Sequence, residues 1–126
     1  AASTEALAAF SASRALVQQH GALLLRMRRF ADAAKYLEAQ VRRYRGDSVL
    51  WRMLSEARFG ADQPIAARRA VAEHYALDGG LLAAIDQLRI AQREAGNDFY
   101  VGSQIDARLR ELQARYTREQ ESIGEE

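Results

Sequence analysis

Among its 126 residues the chain has no cysteine, a single proline and only two histidines. Without cysteine there is no disulfide and no thiolate chemistry. With one proline, at position 64, little interrupts helix over long stretches. Long apolar runs are missing as well: none approaches the roughly 20 residues that a helical membrane span needs. No stretch alternates apolar and polar residues well enough to read as a strand. A surplus of one charge is also lacking, because 18 basic and 17 acidic residues leave +1. Strong nucleic-acid binding rests on net phosphate neutralisation, so this balance argues against it. The opening residues lack the charged and apolar regions of a signal peptide. The first residue is Ala rather than Met, and we expect the chain to be a segment of a longer protein.

What is present favours helix. Hydrophobic residues make up 48% and charged residues 28%, enough of the first to build a core. Ala, Leu, Arg and Gln are frequent, and all are good helix formers. The length suits one domain of about five or six helices. Residues 1–13 are Ala-rich and read as an N-terminal extension, with Ser3 or Thr4 able to cap a short helix. From Arg14 to Arg28, Val17, Gly21, Leu24 and Met27 share a face. Phe30, Ala33, Leu37, Val41 and Tyr44 mark a second helix ending near Gly46. Asp47 or Ser48 caps a third, carrying Trp51, Leu54 and Ala57 and stopping near Gly60. Pro64 suits the first turn of a fourth, which Asp78-Gly79-Gly80 ends. The fifth runs from Leu81 to about Glu94, and Gly96-Asn97-Asp98 breaks it. The last carries Val101, Ile105, Leu109, Leu112 and Tyr116, with Asp106–Arg110 and Glu111–Arg115 as i,i+4 pairs. Residues 119–126 read as a polar, fraying tail.

A repeat runs through these helices. Ala72, Tyr75, Gly79, Ala84, Leu88 and Ala91 have a small, aromatic, Gly, Ala, large, Ala spacing. Small residues let two helices approach, large ones fill between them, and the glycine takes the left-handed turn. Ala33 and Ala67 stand 34 residues apart, as do Leu37 and Val71, and Val71 and Ile105. Ala84 comes 17 after Ala67, half that period. This spacing is the signature of the tetratricopeptide repeat, a helix-turn-helix unit of about 34 residues. The expected fold is all-α: a right-handed solenoid of antiparallel helix pairs over residues 14–118, with the last helix as a cap.

A more specific likeness covers Ala67 to Leu112. The block Ala72, Glu73, Tyr75, Leu77, Gly79, then Asp98-Phe99-Tyr100, then Ile105, Ala107, Arg108, Leu109 and Leu112, resembles the C-terminal region of bacterial periplasmic zinc metalloproteases of the beta-barrel assembly-enhancing type. Three positions depart from the repeat: Arg28 stands where Gly is usual, Gln40 replaces a small residue, and Arg58 occupies an aromatic slot. The resemblance implies a periplasmic, non-catalytic domain that engages outer-membrane assembly machinery or client barrels. The peptidase domain with its HExxH helix would lie elsewhere in the parent. An independent adaptor or scaffold is the alternative, and an enzyme in its own right is the third reading.

Reactive constellations are not visible. His20 is followed by Gly21 and Ala22, and His74 by Tyr75 and Ala76, so neither fits HExxH. A metal needs three or four converging ligands, and none is expected, nor any cofactor. Glu56, Glu73 and Asp86 have no evident partner for acid–base work, and Ser55 fits a packing slot. Arg42, Arg43 and Arg45 beside Tyr44 complement a helix C-terminus. Trp51, Phe30, Tyr75 and Phe99 read as core. The resemblance implies a polypeptide-binding groove lined by the first helix of each unit. Carried over by spacing, that gives Gln18, Ala22 and Arg26, then Arg52, Glu56 and Phe59. If the fourth helix acts as a first helix, it adds Arg69, Glu73 and Leu77.

Overall fold

Residues 3–125 are described by the structure, a computed structural model. Residues 1 and 2 of the expected N-terminal extension and residue 126 of the expected tail lie outside the described residues. The described residues form six helices and no strand, so the chain is all-α: α1 (Thr4–Arg26), α2 (Phe30–Arg43), α3 (Ser48–Gly60), α4 (Pro64–Leu77), α5 (Leu81–Ala95) and α6 (Phe99–Glu125).

Local chemistry sets these boundaries. Ser3 Oγ accepts from the Ala6 N–H at 3.1 Å and starts α1. The buried Asp47 carboxylate accepts from the Val49 and Leu50 N–H groups at 3.0 and 3.2 Å and starts α3. Pro64 opens α4, where its missing N–H costs nothing. Asp98 Oδ1 accepts from the Val101 N–H at 3.1 Å ahead of α6.

Three helices end in the same way. Arg28, Asp62 and Gly79 all have positive φ, at 56°, 60° and 85°. Each sits in a paired hydrogen-bond turn: Arg29 and Arg28 N–H to Leu24 and Leu25 O, Gln63 and Asp62 N–H to Arg58 and Phe59 O, Gly80 and Gly79 N–H to Tyr75 and Ala76 O. Gly96, with φ 55°, ends α5. Positions 28, 62 and 96 are 34 residues apart, and 79 falls midway between the last two. The helix after each such turn is therefore launched in a like manner.

Each helix packs on its neighbours in the chain, and α1 also packs on α3. One core cluster unites Leu24 of α1, Leu37 and Val41 of α2, and Leu50 and Leu54 of α3. A second unites α4, α5 and α6 through Ile85, Leu88, Ile105 and Leu112. Burial of each such side chain contributes about 1.5–3 kcal/mol. Between the clusters lies α4, whose buried residues are all alanine: Ala67, Ala70, Ala72 and Ala76. Ala70 belongs to the first cluster, Ala72 and Ala76 to the second. With small residues at its fully packed positions, and Ile65 and Tyr75 against the second cluster only, α4 can sit close to both neighbours. Close approach recurs at Gly60, where a Cβ would collide with the Phe30 ring, and at Gly21, where it would lie 2.8 Å from Leu37 Cδ2.

The structure departs from the sequence expectations in several places. Residues 4–13 are all exposed and helical with the rest of α1, which is continuous from Thr4 to Arg26, since an Ala-rich run with a good cap has no reason to break. At the other end α6 continues to Glu125 rather than fraying, through a segment of Arg, Glu and Gln. Phe99 is not core but 89% exposed, because it lies two positions from Val101 and so nearly opposite the packed side of α6. The i,i+4 pairs expected on α6 give way to other partners. Asp106 accepts from Gln92 of α5, and Glu111 pairs with Arg108 at 2.8 Å.

Candidate functional site

Three alternate helices, α2, α4 and α6, face a common recess of about 410 Å³. Each contributes a polar pair at i,i+4: Glu38 and Arg42, Arg69 and Glu73, Gln104 and Arg108. Residues four apart lie on one helix face, so each pair enters the recess together. From α3 come Trp51 and Arg58. A second recess of about 410 Å³ shares Arg42, Trp51, Glu73 and Arg108 and adds Arg45 and Leu77. On the other side, Ala66 and Arg69 also line an apolar hollow of about 280 Å³ with Pro64, Ile65 and Val101. The three hollows are thus contiguous through shared residues.

Packing positions the polar groups. Trp51 is half-buried against the first core cluster, and its indole N–H donates to Arg45 O at 3.0 Å. Arg58 comes directly after the buried Ala57 on α3; its Nη1 donates to Ala66 O at 3.1 Å, and Nη2 lies 3.8 Å from Glu38 Oε2. Arg42 Nη2 takes the other Glu38 oxygen at 3.0 Å. Arg69 Nη1 donates to Gln104 Oε1 at 3.1 Å. Arg108 grips Glu73 with two bonds, Nε to Oε1 at 2.8 Å and Nη2 to Oε2 at 2.9 Å, and so ties α6 to α4.

The electrostatics divide the recess. The Arg108–Glu73 pair is internally neutral, and its hydrogen bond to Glu73 leads the raising of the Arg108 pKa, with desolvation opposing. Glu38, by contrast, pairs with two guanidiniums, Arg42 and Arg58, and a third, Arg69, lines the same recess. Desolvation lowers the Arg58 pKa; Glu38 works against that, and Arg69 and Arg42 add to it. Arginine nonetheless remains cationic at any ordinary pH. This end of the recess therefore holds more positive than negative charge.

Of the sequence-derived groove residues, α4 brings Arg69, Glu73 and Leu77 to these hollows. The others do not line them. On α1, Gln18 donates to Asp47 Oδ2 at 2.8 Å, Ala22 packs against the first core cluster, and Arg26 is exposed in the last turn. On α3, Arg52 and Glu56 pair with each other at 2.8 Å, and Phe59 lies under the Arg68 guanidinium at 5.6 Å. The reason is the half-period: first and second helices look alike in sequence, and only burial distinguishes which set faces the recess. Arg42, in the last turn of α2, and Trp51, packed against the first core cluster, also line the recess, and Arg45 lines the second one. Arg58, Gln104 and Arg108 entered no functional reading. No sequence signal singles them out, because Arg52 and Glu56 of α3 form an i,i+4 polar pair as well and lie outside the recess.

Among the described residues, no three His, Asp or Glu side chains are grouped to hold a metal ion, and no helix is long and apolar enough to cross a membrane. The chain matches no protein-family model and no curated protein.

Proposed function

We propose that this chain is a short, right-handed tetratricopeptide-like solenoid of antiparallel helix pairs, capped by α6, that binds polypeptide in the recess between α2, α4 and α6. The observation that carries this reading is the recurrence of a polar i,i+4 pair from every second helix on one recess. Left-handed turn residues at 28, 62 and 96 support the solenoid, since they repeat at its period of about 34 residues. Arginine pairs with backbone carbonyls and carboxylates, and Trp51 and Leu77 supply apolar contact, which suits an extended or partly folded chain.

By its sequence resemblance, the domain serves a periplasmic zinc metalloprotease of the beta-barrel assembly-enhancing type. It is the non-catalytic part that presents clients or assembly partners to a peptidase domain elsewhere in the parent. The test is capture of a urea-unfolded outer-membrane barrel protein on dilution. Arg69→Glu, in the recess, is expected to weaken capture about tenfold, or about 1.4 kcal/mol. Arg52→Glu, on α3 outside it, is expected to change capture less than twofold, on the order of the RT ln 2 that separates such affinities. Equal capture by wild type and Arg69→Glu, with helicity retained, overturns the assignment.

A further inference from the structure

We infer that the Arg42–Arg58–Arg69 end of the recess is a carboxylate subsite, selecting polypeptide segments in which an acidic side chain lies next to an apolar one. This deepens the polypeptide-binding reading and rests on it. Three guanidiniums from three helices line this end of the recess, where the one carboxylate among them, Glu38, divides its two oxygens between Arg42 at 3.0 Å and Arg58 at 3.8 Å. The only bonded partner of Arg69 among the described residues is the neutral Gln104 oxygen.

Each guanidinium carries five N–H donors, and these contacts use few of them. Arg58 is held partly out of water with two like charges nearby, an arrangement that an incoming anion relieves. Glu38 and Arg42 lie on α2, Arg58 on α3 and Arg69 on α4, so the cluster is preorganised by packed helices rather than by a loop.

Neighbouring shape gives the second half of the inference. Arg69 and Ala66 border both the charged recess and the apolar hollow of Pro64, Ile65 and Val101. A carboxylate bonded to Arg69 thus places an adjacent apolar side chain at that hollow. On the opposite side the recess continues past Trp51 to Arg45 and Leu77. A bound chain passes on through both sides, so the carboxylate belongs to an Asp or Glu within the segment rather than to a chain terminus.

Trp51 lines the recess and is the only tryptophan, so its fluorescence reports occupancy directly. The probes are N-acetylated, C-amidated peptides: Ser-Gly-Leu-Glu-Val-Glu-Leu-Gly-Ser, and the same peptide with both Glu replaced by Gln. The Glu peptide is expected to bind about tenfold or more tightly than the Gln peptide, the scale of a charge-assisted hydrogen bond. Added salt is expected to narrow the gap, because the recess is open to screening ions. Arg69→Gln is expected to reduce the gap while circular dichroism stays unchanged.

Equal binding of the two peptides overturns the carboxylate subsite and leaves the recess as a polypeptide site. Binding of neither, with capture of the unfolded barrel still sensitive to Arg69→Glu, has the same consequence. If the Gln peptide regains affinity only when its C-terminus is freed, the assignment to an internal side chain is overturned.

Discussion

At Arg28 an arginine holds a backbone conformation that costs an L-residue about 1–2 kcal/mol. It stays there because Arg29 and Arg28 N–H groups close the turn on Leu24 and Leu25, and its guanidinium lies 5.3 Å from the Phe30 ring centroid. Glycine meets the same dihedral demand without strain but loses the ring contact and has more freedom when unfolded. Arg28→Gly is therefore expected to stabilise by a net of about 0.5–1 kcal/mol, and Gly79→Ala to destabilise by about 1–2 kcal/mol. Opposite signs in urea titrations confirm the turn geometry; the same sign for both rules it out. Asp47 is the other residue on which much converges. Besides capping α3, its carboxylate accepts from Gln18 at 2.8 Å and lies 3.5 Å from Arg14, so it joins α1 to α3. Asp47→Ala is expected to lower stability by about 1–2 kcal/mol and Asp47→Asn by less, since Asn also caps. Thermal melts in which Asn is no better than Ala would show that charge, not capping, is what matters.

Among the elements, α4 differs from the rest in having only alanines buried. Its slimness lets it touch α3 and α5 at once, and it brings Arg69 and Glu73 to the recess. Ala67, Ala70 and Ala72 are fully buried, so added bulk there must displace a neighbour. Ala67→Leu is expected to destabilise by about 1–3 kcal/mol, although leucine costs almost nothing in helix propensity. A variant as stable as the parent would show that α4 can shift outward, and peptide binding should then change instead. The small positions Ala67 and Ala72 and the Pro64 start were legible in the sequence, because small residues at helical spacing have few other uses. The bidentate Arg108–Glu73 bond was not legible, since its partners are 35 residues apart and each also reads as an ordinary surface charge.

On the scale of the whole molecule, the described packing joins near neighbours in the chain, and two core clusters meet only across α4. Stability in such an arrangement is a sum of neighbour terms, so damage stays local. Ile105 is fully buried in the second cluster. Ile105→Ala is expected to cost about 2–5 kcal/mol and to show first in α5 and α6. Native-state hydrogen exchange in mild urea is the measurement. Amides of α5 and α6 should lose protection while those of α2 and α3 keep theirs. Equal loss across all six helices would mean that the clusters unfold as one unit.

The helices, their caps and the half-period turns are dictated by the sequence alone, because propensity, capping side chains and left-handed residues act over a few neighbouring positions. Which face of the molecule carries the recess was decided by tertiary packing. Slim and bulky residues recur every 17 positions as well as every 34, so the sequence takes α1 and α3 as first helices and leaves α4 able to act as one too. In the structure Arg42 of α2 and Arg69 of α4 line the recess, whereas Arg52 and Glu56 of α3 pair with each other outside it. The physical cause is that the direction in which a side chain ends up pointing depends on the helices packed around it, and those are distant in sequence.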